Sequence, residues 1–231
     1  MERKPDKLKL SIVMPCRNEE SMVGFCVETA KFFLRQNRIR GEILVVNNGS
    51  TDRSALVAER SGARVICVEK PGYGRALRAG LKASRGKVII MGDCDATYDF
   101  REVGMIYELL ADGAYDVVIG DRFSGGIEKG AMPQSHYWGV RWLSFLGRMR
   151  FHTDVKDFHC GLRGITRDAL KRLQFRTAGM EFATEMIAVA KKAGLRIGQV
   201  PVSLRKCRFE HRSKVRIVRD GVRHLEYILG G

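Results

Sequence analysis

Two aspartates, Asp93 and Asp95, stand directly after the apolar run 88–91 and a single glycine. The run is continuous and rich in β-branched residues, which is typical of a strand buried on both faces of a parallel sheet. In open α/β sheets, ligands bind beyond the carboxyl ends of the strands. Two carboxylates at such an end can hold one divalent cation together with substrate phosphates. An isolated Asp-x-Asp pair is more often a polar turn, so the neighbouring segments decide between the two interpretations.

Three earlier apolar segments also end in polar residues or in glycine. These ends are Arg17 to Glu19 after 8–14, Asn47 to Asp52 after 42–46, and the loop 69–75 after 63–68. The carboxyl ends of parallel strands lie on one edge of a sheet, so we expect the four polar ends to meet there. A pocket of amides, carboxylates and loop N–H groups suits a nucleotide, and the N-termini of the following helices favour anions.

The elements that position these residues alternate regularly as far as residue 120. Short apolar strands are separated by helical segments of 10–15 residues, which predicts a mostly parallel central sheet flanked by helices, an α/β fold in a single domain. The glycine-containing segment 121–134 has no periodicity and is predicted to be a loop and candidate flap. A helix at 135–151, a strand-like return at 155–165 and a last strand region at 195–204 follow.

The composition limits the partners and the compartment. The chain has 231 residues and a net charge of +15, which favours a polyanionic partner such as nucleic acid, an anionic membrane surface or a phosphorylated substrate. No apolar run is long enough to span a bilayer, and the charged N-terminus is not typical of a secretory signal. The six cysteines include no C-x-x-C pair, so we expect reduced thiols in a cytoplasmic protein.

The order of these motifs resembles family 2 glycosyltransferases of the GT-A fold. The resemblance rests on S-I-V-M-P-C-R-N-E-E, L-V-V-N-N-G-S-T-D and R-G-K-V-I-I-M-G-D-C-D, and continues through V-V-I-G-D-R-F, D-F-H-C-G-L-R-G, G-M-E-F-A-T-E-M and H-R-S-K. It covers nearly the whole chain. Within the family, the sequence is most similar to polyprenyl- or dolichyl-phosphate sugar synthases.

For the donor side, the resemblance implies a nucleotide sugar, a UDP- or GDP-hexose, whose diphosphate binds Mg²⁺ or Mn²⁺. Asp95 would bind the metal, and Asp93 would lie beside it and position the donor. Asn47 and Asn48 stand where the family usually has Asp-Asp or Asp-Asn, which leaves the nucleobase open. The expected donor-binding residues are Pro15, Arg17, Glu19, Asn47, Asn48, Gly74, Arg75, Asp93 and Cys94.

For the acceptor side, the resemblance implies a polyprenyl phosphate that receives glucose or mannose with inversion. Arg122 and Lys214 would act in catalysis with Asp93 and Asp95. The residues expected to hold the acceptor phosphate are Arg122, Arg163, Arg212 and Lys214. A phosphate monoester is largely a dianion at pH 7, so it needs no strong protein base. Asp157 and Glu181 are predicted acceptor-site groups, and Glu181 would be the base if the acceptor were a hydroxyl.

Two other functions are compatible with parts of this sequence. The runner-up is transfer to a hydroxyl on a glycan, diacylglycerol or small molecule. A nucleic-acid-binding module would explain the charge but not the acids and amides at the strand ends, so we expect no nucleic-acid partner.

Residues 1–210 are predicted to form the glycosyltransferase domain. The basic amphipathic segment 211–231 is predicted to face a membrane, which places the protein peripherally at the cytoplasmic face.

Overall fold

The computed structural model describes residues 8–207, 209 and 217–230, and within them seven strands form one sheet. The strands are β1 (Leu10–Cys16), β2 (Gly41–Asn47), β3 (Arg64–Cys67), β4 (Val88–Met91), β5 (Val117–Asp121), β6 (Arg163–Thr166) and β7 (Ile197–Pro201). The helices are α1 (Val23–Gln36), α2 (Ser54–Arg60), α3 (Tyr73–Ala83), α4 (Gly104–Ala111), α5 (Arg122–Gly125), α6 (Gln134–Phe151), α7 (Arg167–Lys171), α8 (Phe182–Lys192) and α9 (Ile217–Gly230).

The sheet confirms the predicted α/β fold with mostly parallel strands. Its order is β3-β2-β1-β4-β6-β5-β7, and β1 pairs in parallel with both β2 and β4. Only β6 runs antiparallel, between β4 and β5. Every residue of β1 and β4 is buried, as continuous apolar runs in a sheet covered on both faces must be. The ends of β1, β2 and β4 therefore meet on one edge.

The predicted strand at 155–165 is wrong except at its end, where β6 begins at Arg163. In this segment, interactions with arginine side chains replace the backbone hydrogen bonds that a neighbouring strand would make. The Asp157 carboxylate binds the buried Arg122, and the Arg163 guanidinium binds the carbonyl oxygens of Phe158 and Cys160. A backbone that is bonded to a buried guanidinium is not available to a neighbouring strand.

The predicted loop 121–134 has more structure than expected. It begins with the short helix α5, whose N-cap Asp121 accepts hydrogen bonds from the backbone N–H groups of Phe123 and Ser124. Farther along, Ile127 pairs with Leu204, and Glu128 N donates to Leu204 O at 2.9 Å. The segment is therefore tied at two points to the body of the domain.

The C-terminal helix α9 packs against α6 and α8. Its buried residues Asp220, His224 and Ile228 are four apart and lie on one face. The Nδ1 atom of His224 lies 2.8 Å from Thr184 Oγ1, and the ring meets that of His159 edge to face at 4.3 Å. The division at residue 210 stays a prediction, and 211–216 and 231 lie outside the described residues. No described helix combines the length and apolar character needed to cross a bilayer.

Candidate functional site

The loops after β1 and β2 are clasped to each other by short polar side chains. The Asn18 side-chain oxygen accepts from Thr51 N at 2.8 Å, and Ser54 Oγ accepts from Glu19 N at 2.8 Å. The carboxylate of Glu20 accepts from both the backbone and the side chain of Arg53. These contacts fix the backbone that carries Arg17 and Glu19 relative to the end of β2.

Asn48 and Cys94 connect this pair of loops to the next two strand ends. The Asn48 side-chain oxygen accepts from Gly72 N at 2.7 Å, which ties β2 to the start of α3. The Cys94 thiol donates to Pro15 O at 3.1 Å, which ties the end of β4 to the end of β1. Asn47 has a local role instead, because its side chain accepts from Ser50 N and donates to Cys67 Sγ. The four predicted strand ends thus form one connected frame.

Two glycines bring a distant segment to this frame. A Cβ atom at Gly72 would lie 2.5 Å from Ala178 O, and one at Gly74 would lie 2.7 Å from Thr177 O. Both distances are shorter than a side chain permits, so the close approach of α3 to residues 177–179 requires glycine at these positions. Arg75 N completes the contact by donating to Ala178 O at 3.3 Å.

The two carboxylates after β4 differ in their surroundings. Burial in the protein, reinforced by the negative charge of Asp95, raises the pKa of Asp93 from 3.8 to about 7. A hydrogen bond with Tyr73 and the charges of Arg163 and Arg122 offset part of this increase. The Asp95 oxygen Oδ1 accepts from Thr97 N at 3.0 Å and Thr97 Oγ1 at 2.6 Å. Neither bond uses the second carboxylate oxygen, Asp95 Oδ2.

The frame encloses a cavity of about 430 Å³. The predicted site residues that line it are Pro15, Arg17, Glu19, Asn48, Arg75, Asp93, Cys94 and Asp95. Gly74 is buried and Asn47 is partly buried, and neither is among the residues that line the cavity. Residues 178–180 and α9 also line it, and α9 contributes Arg219, Asp220 and Arg223. One cavity therefore brings together carboxylates from the first half of the chain and arginines from its last helix.

The donor set fits a divalent cation that shares its coordination with a substrate. Among residues 8–207, 209 and 217–230, no three His, Cys, Asp or Glu side chains are grouped as a complete metal site. Asp93 and Asp95 supply carboxylate oxygens only. Mg²⁺ and similar hard cations typically bind one or two carboxylates and complete their shell with water and substrate phosphates. The negative charge of Asp95 adds to burial in raising the pKa of Asp93, and such a cation would neutralise this charge.

Arg122 and Asp157 form a buried ion pair outside the cavity lining. Two bonds join the guanidinium to the carboxylate, Nε to Oδ2 at 2.6 Å and Nη2 to Oδ1 at 2.8 Å. The side chains are 6% and 0% exposed, so removing either partner would leave an uncompensated buried charge. The positive charge of Arg122 still acts on Asp93. The phosphate-binding and catalytic roles of Arg122, and the acceptor role of Asp157, stay predictions.

Arg163 is also buried, and its guanidinium binds backbone carbonyls. It donates to Cys160 O at 2.9 Å, Ala183 O at 2.9 Å and Phe158 O at 3.1 Å. This arrangement holds the 158–162 segment against α8 and places a positive charge near Asp93. A direct contact between Arg163 and an acceptor phosphate stays a prediction. Arg212 and Lys214, the other two predicted phosphate ligands, lie outside the described residues.

Glu181 stands beside the cavity wall that α9 contributes. Its Oε1 accepts from Gly179 N at 2.9 Å, while its buried Oε2 receives no hydrogen bond within the described part of the chain. Glu181 Oε2 and Arg223 Nη1 both lie less than 3 Å from where a Cβ on Gly179 would stand. Arg219 and Arg223 were not predicted from the sequence. Their four-residue spacing, the same as that of Asp220 and His224, is the sequence pattern that could have indicated them.

Known proteins resemble this chain in sequence. A family model described as Glycosyl transferase family 2 matches residues 11–174. The low-salt glycan biosynthesis hexosyltransferase Agl6 of Haloferax volcanii is 36% identical over 95% of this chain, which spans 53% of that protein's length. The dolichyl-phosphate hexose transferase of the same organism is 32% identical, with 85% of this chain and 83% of that protein covered.

Solved structures show the same fold. Glucosyl-3-phosphoglycerate synthase from Mycobacterium tuberculosis, crystallised with Mn²⁺ and UDP-glucose, superposes with a TM-score of 0.76 over 96% of this chain and 79% of that one. The sequence identity is 23%, so this likeness speaks for the fold alone.

The pKa of Asp93 predicts how stability depends on pH and on metal. Because folding raises this pKa from 3.8 to about 7, the protonated carboxyl contributes stability that is full below about pH 4 and is lost as the pH rises through about 7. A divalent cation requires ionised carboxylates, so Mn²⁺ should raise the melting temperature above pH 7 and have little effect at pH 5.

Thermal unfolding measured from pH 4 to pH 9, with and without Mn²⁺, tests this dependence. Asp93→Asn should flatten the metal-free profile and reduce the effect of Mn²⁺, whereas Asp112→Asn, at an exposed position after α4, should leave both unchanged. Equal stabilisation by Mn²⁺ at pH 5 and pH 8 would contradict the assignment.

Proposed function

This chain belongs to glycosyl transferase family 2, and we propose that it is a metal-dependent hexosyltransferase that uses a nucleotide sugar. The observation that carries the proposal is the joining of four strand ends around Asp93 and Asp95 in one cavity. Such a cavity, which combines carboxylates, an amide and loop backbone, suits a nucleoside diphosphate. The relatives named hexosyltransferase and dolichyl-phosphate hexose transferase, which are 36% and 32% identical, support transfer of a hexose.

On the donor side, each part of the cavity has a distinct task. Glu19 and Asn48 lie along the nucleoside, and Arg17 and Arg75 attract the negatively charged diphosphate. Asp95 holds Mg²⁺ or Mn²⁺, with Asp93 beside it positioning the donor. When bound, the cation supplies electrostatic stabilisation of the charge that develops on the leaving diphosphate. The nucleobase, uracil or guanine, lies near the neutral Asn48, whose amide group can both donate and accept hydrogen bonds, while the Asn47 side chain is held locally by Ser50 and Cys67.

On the acceptor side, we propose a polyprenyl phosphate that receives glucose or mannose with inversion. The relative named dolichyl-phosphate hexose transferase supports a lipid-phosphate acceptor. Arg219 and Arg223 line the same cavity as the two aspartates, and a second anion bound there needs cationic partners. The acceptor phosphate is already largely ionised at pH 7, so its oxygen can attack the sugar C1 without a protein base. Attack from the face opposite the leaving diphosphate gives inversion.

A hydroxyl acceptor on a glycan, diacylglycerol or small molecule is the second candidate. The observation that favours it is Glu181, whose buried Oε2 receives no hydrogen bond among the described residues and lies next to the cavity wall. A carboxylate in that place has the chemistry of a general base for a hydroxyl nucleophile. Nucleic acid is not a proposed partner, because binding to it would leave the acids and amides at the strand ends without a role.

A lipid acceptor also defines where the enzyme works. We propose that it acts peripherally at the cytoplasmic face of a membrane, where soluble nucleotide sugars meet lipid-linked phosphates. The positive net charge of +15 favours an anionic surface.

A transfer assay tests the proposal directly. The protein should transfer hexose from one member of a panel of UDP- and GDP-sugars to a polyprenyl phosphate, and only with Mg²⁺ or Mn²⁺. Asp95→Ala should reduce turnover by about 100-fold or more, the scale for losing a group that stabilises transition-state charge. Product formed only with hydroxyl acceptors would favour the second candidate and exclude the first, and full activity of Asp95→Ala would remove the metal role.

Arg223 provides a test of the acceptor site alone. Arg223→Gln should raise the KM for polyprenyl phosphate by about 10- to 100-fold, which corresponds to one lost hydrogen bond between charged groups. Binding of the nucleoside diphosphate, measured by calorimetry, should change little. Arg60→Gln, an exposed arginine in the last turn of α2, is the matched control. An increase in donor Kd without a change in acceptor KM would place Arg223 on the donor instead.

A further inference from the structure

Helix α6 carries a row of large apolar side chains that are exposed to solvent. Trp138, Trp142, Phe145 and Met149 are 65%, 55%, 47% and 62% exposed. Their spacing of four, three and four residues places them on one face of the helix. We call these four residues the α6 ridge.

The ridge faces away from the protein interior. The buried residues of α6 are Val140, Ser144 and Gly147, which occupy the opposite side of the helix at 100° per residue. A surface helix of a globular protein ordinarily turns its apolar stripe inward and its polar face outward. Here the fully buried side of the helix carries three residues of modest size, and the four ridge side chains, three of them aromatic, face outward. Single exposed apolar residues need no explanation, but a continuous row indicates an interaction surface.

Arginines flank the ridge, and α6 contains no acidic residue. Arg141 and Arg148 lie on one side of it and Arg150 lies on the other, as the helical positions require. The guanidinium of Arg148 lies 5.9 Å from the Phe145 ring centroid. The helix therefore combines a tryptophan-rich apolar face with three positive charges at its borders.

We propose that the α6 ridge inserts into the interfacial layer of an anionic lipid bilayer. Helices that lie in this layer have an apolar face with Trp or Phe and a basic border, and tryptophan is enriched at the level of the lipid headgroups. The arginines complement anionic headgroups. An interface between copies of this chain would bring the six border arginines of two ridges together, which opposes that arrangement. This inference rests on the proposed function, and it identifies the surface of the protein that contacts the membrane.

Contacts connect the ridge to the catalytic cavity. The Trp138 ring lies 5.4 Å from that of Tyr137, which lies 5.3 Å from that of Phe123. Phe123 follows Arg122 in α5, the first part of the loop after β5. On its other side α6 packs against α9, the helix that brings Arg219 and Arg223 into the cavity. Docking through the ridge therefore holds both elements at the membrane, where a lipid-phosphate acceptor resides.

The two tryptophans of the chain are both in the ridge, so intrinsic fluorescence reports on it alone. With vesicles containing 30 mol% phosphatidylglycerol in phosphatidylcholine, the emission should shift to shorter wavelength. Lipids brominated on their acyl chains should quench it. Unchanged emission and no quenching in the wild-type protein would overturn the proposal.

Substitutions identify the residues responsible. Phe145→Gln with Met149→Gln keeps both tryptophans as reporters and should weaken vesicle binding by at least about tenfold. Arg141→Gln with Arg148→Gln should remove the preference for anionic vesicles. Leu56→Gln with Met105→Gln, which changes residues that are 41% and 51% exposed elsewhere, is the matched control and should bind as the wild type does. Melting temperatures within a few degrees of wild type show that each variant is folded.

Further outcomes separate this inference from the proposed function. The Phe145→Gln/Met149→Gln variant should keep its rate with a water-soluble, short-chain prenyl phosphate and lose rate only with acceptor embedded in vesicles. Wild-type vesicle binding by this variant would overturn the proposal. So would a wild-type dimer that ignores vesicles and dissociates on these substitutions. If the wild type used no prenyl phosphate at all, the proposed function would fail, while fluorescence with vesicles would still decide the role of the ridge.

Discussion

Two carboxylates held close together at the end of a buried strand are the constraint on which this site depends. Burial raises the pKa of Asp93 to about 7, and the charge of Asp95 adds to the effect. Two like charges at a partly desolvated position are unfavourable unless a positive charge accompanies them. Arg122 and Arg163 supply part of that charge from the interior. A divalent cation would supply the rest, and we propose that the diphosphate of the donor binds through that cation.

The sequence predicted the half of the site that is encoded locally. Continuous apolar runs identified β1, β2 and β4, and parallel strands necessarily present Glu19, Asn48 and Asp95 at one edge. The segment 155–162 is not a strand because the Asp157 carboxylate and two backbone carbonyl oxygens in it bind buried guanidinium groups. Hydrophobic periodicity in the sequence does not reveal such contacts. Arg219 and Arg223 were also missed. Their position depends on how α9 packs against α6 and α8, a tertiary contact made through His224 and Thr184.

The two halves of the cavity therefore have different origins. The first half is made of loops tied to each other by Asn48, Cys94 and short polar side chains. The second half is assembled from residues 178–180 and a helix far along the chain. We propose that the first half binds the donor and the second half binds the acceptor. The helix of the second half, α9, packs against α6, whose exposed apolar residues we assign to the membrane.

We propose that Asp95 and the diphosphate of a nucleotide sugar share one metal ion at this sheet edge. Anomalous diffraction from crystals grown with Mn²⁺ and either UDP or GDP would locate that ion. We expect one strong anomalous peak within coordination distance of an Asp95 carboxylate oxygen and next to the diphosphate, with the nucleoside along Glu19 and Asn48. A nucleotide bound elsewhere, or manganese bound without any contact to Asp95 or Asp93, would rule out this arrangement.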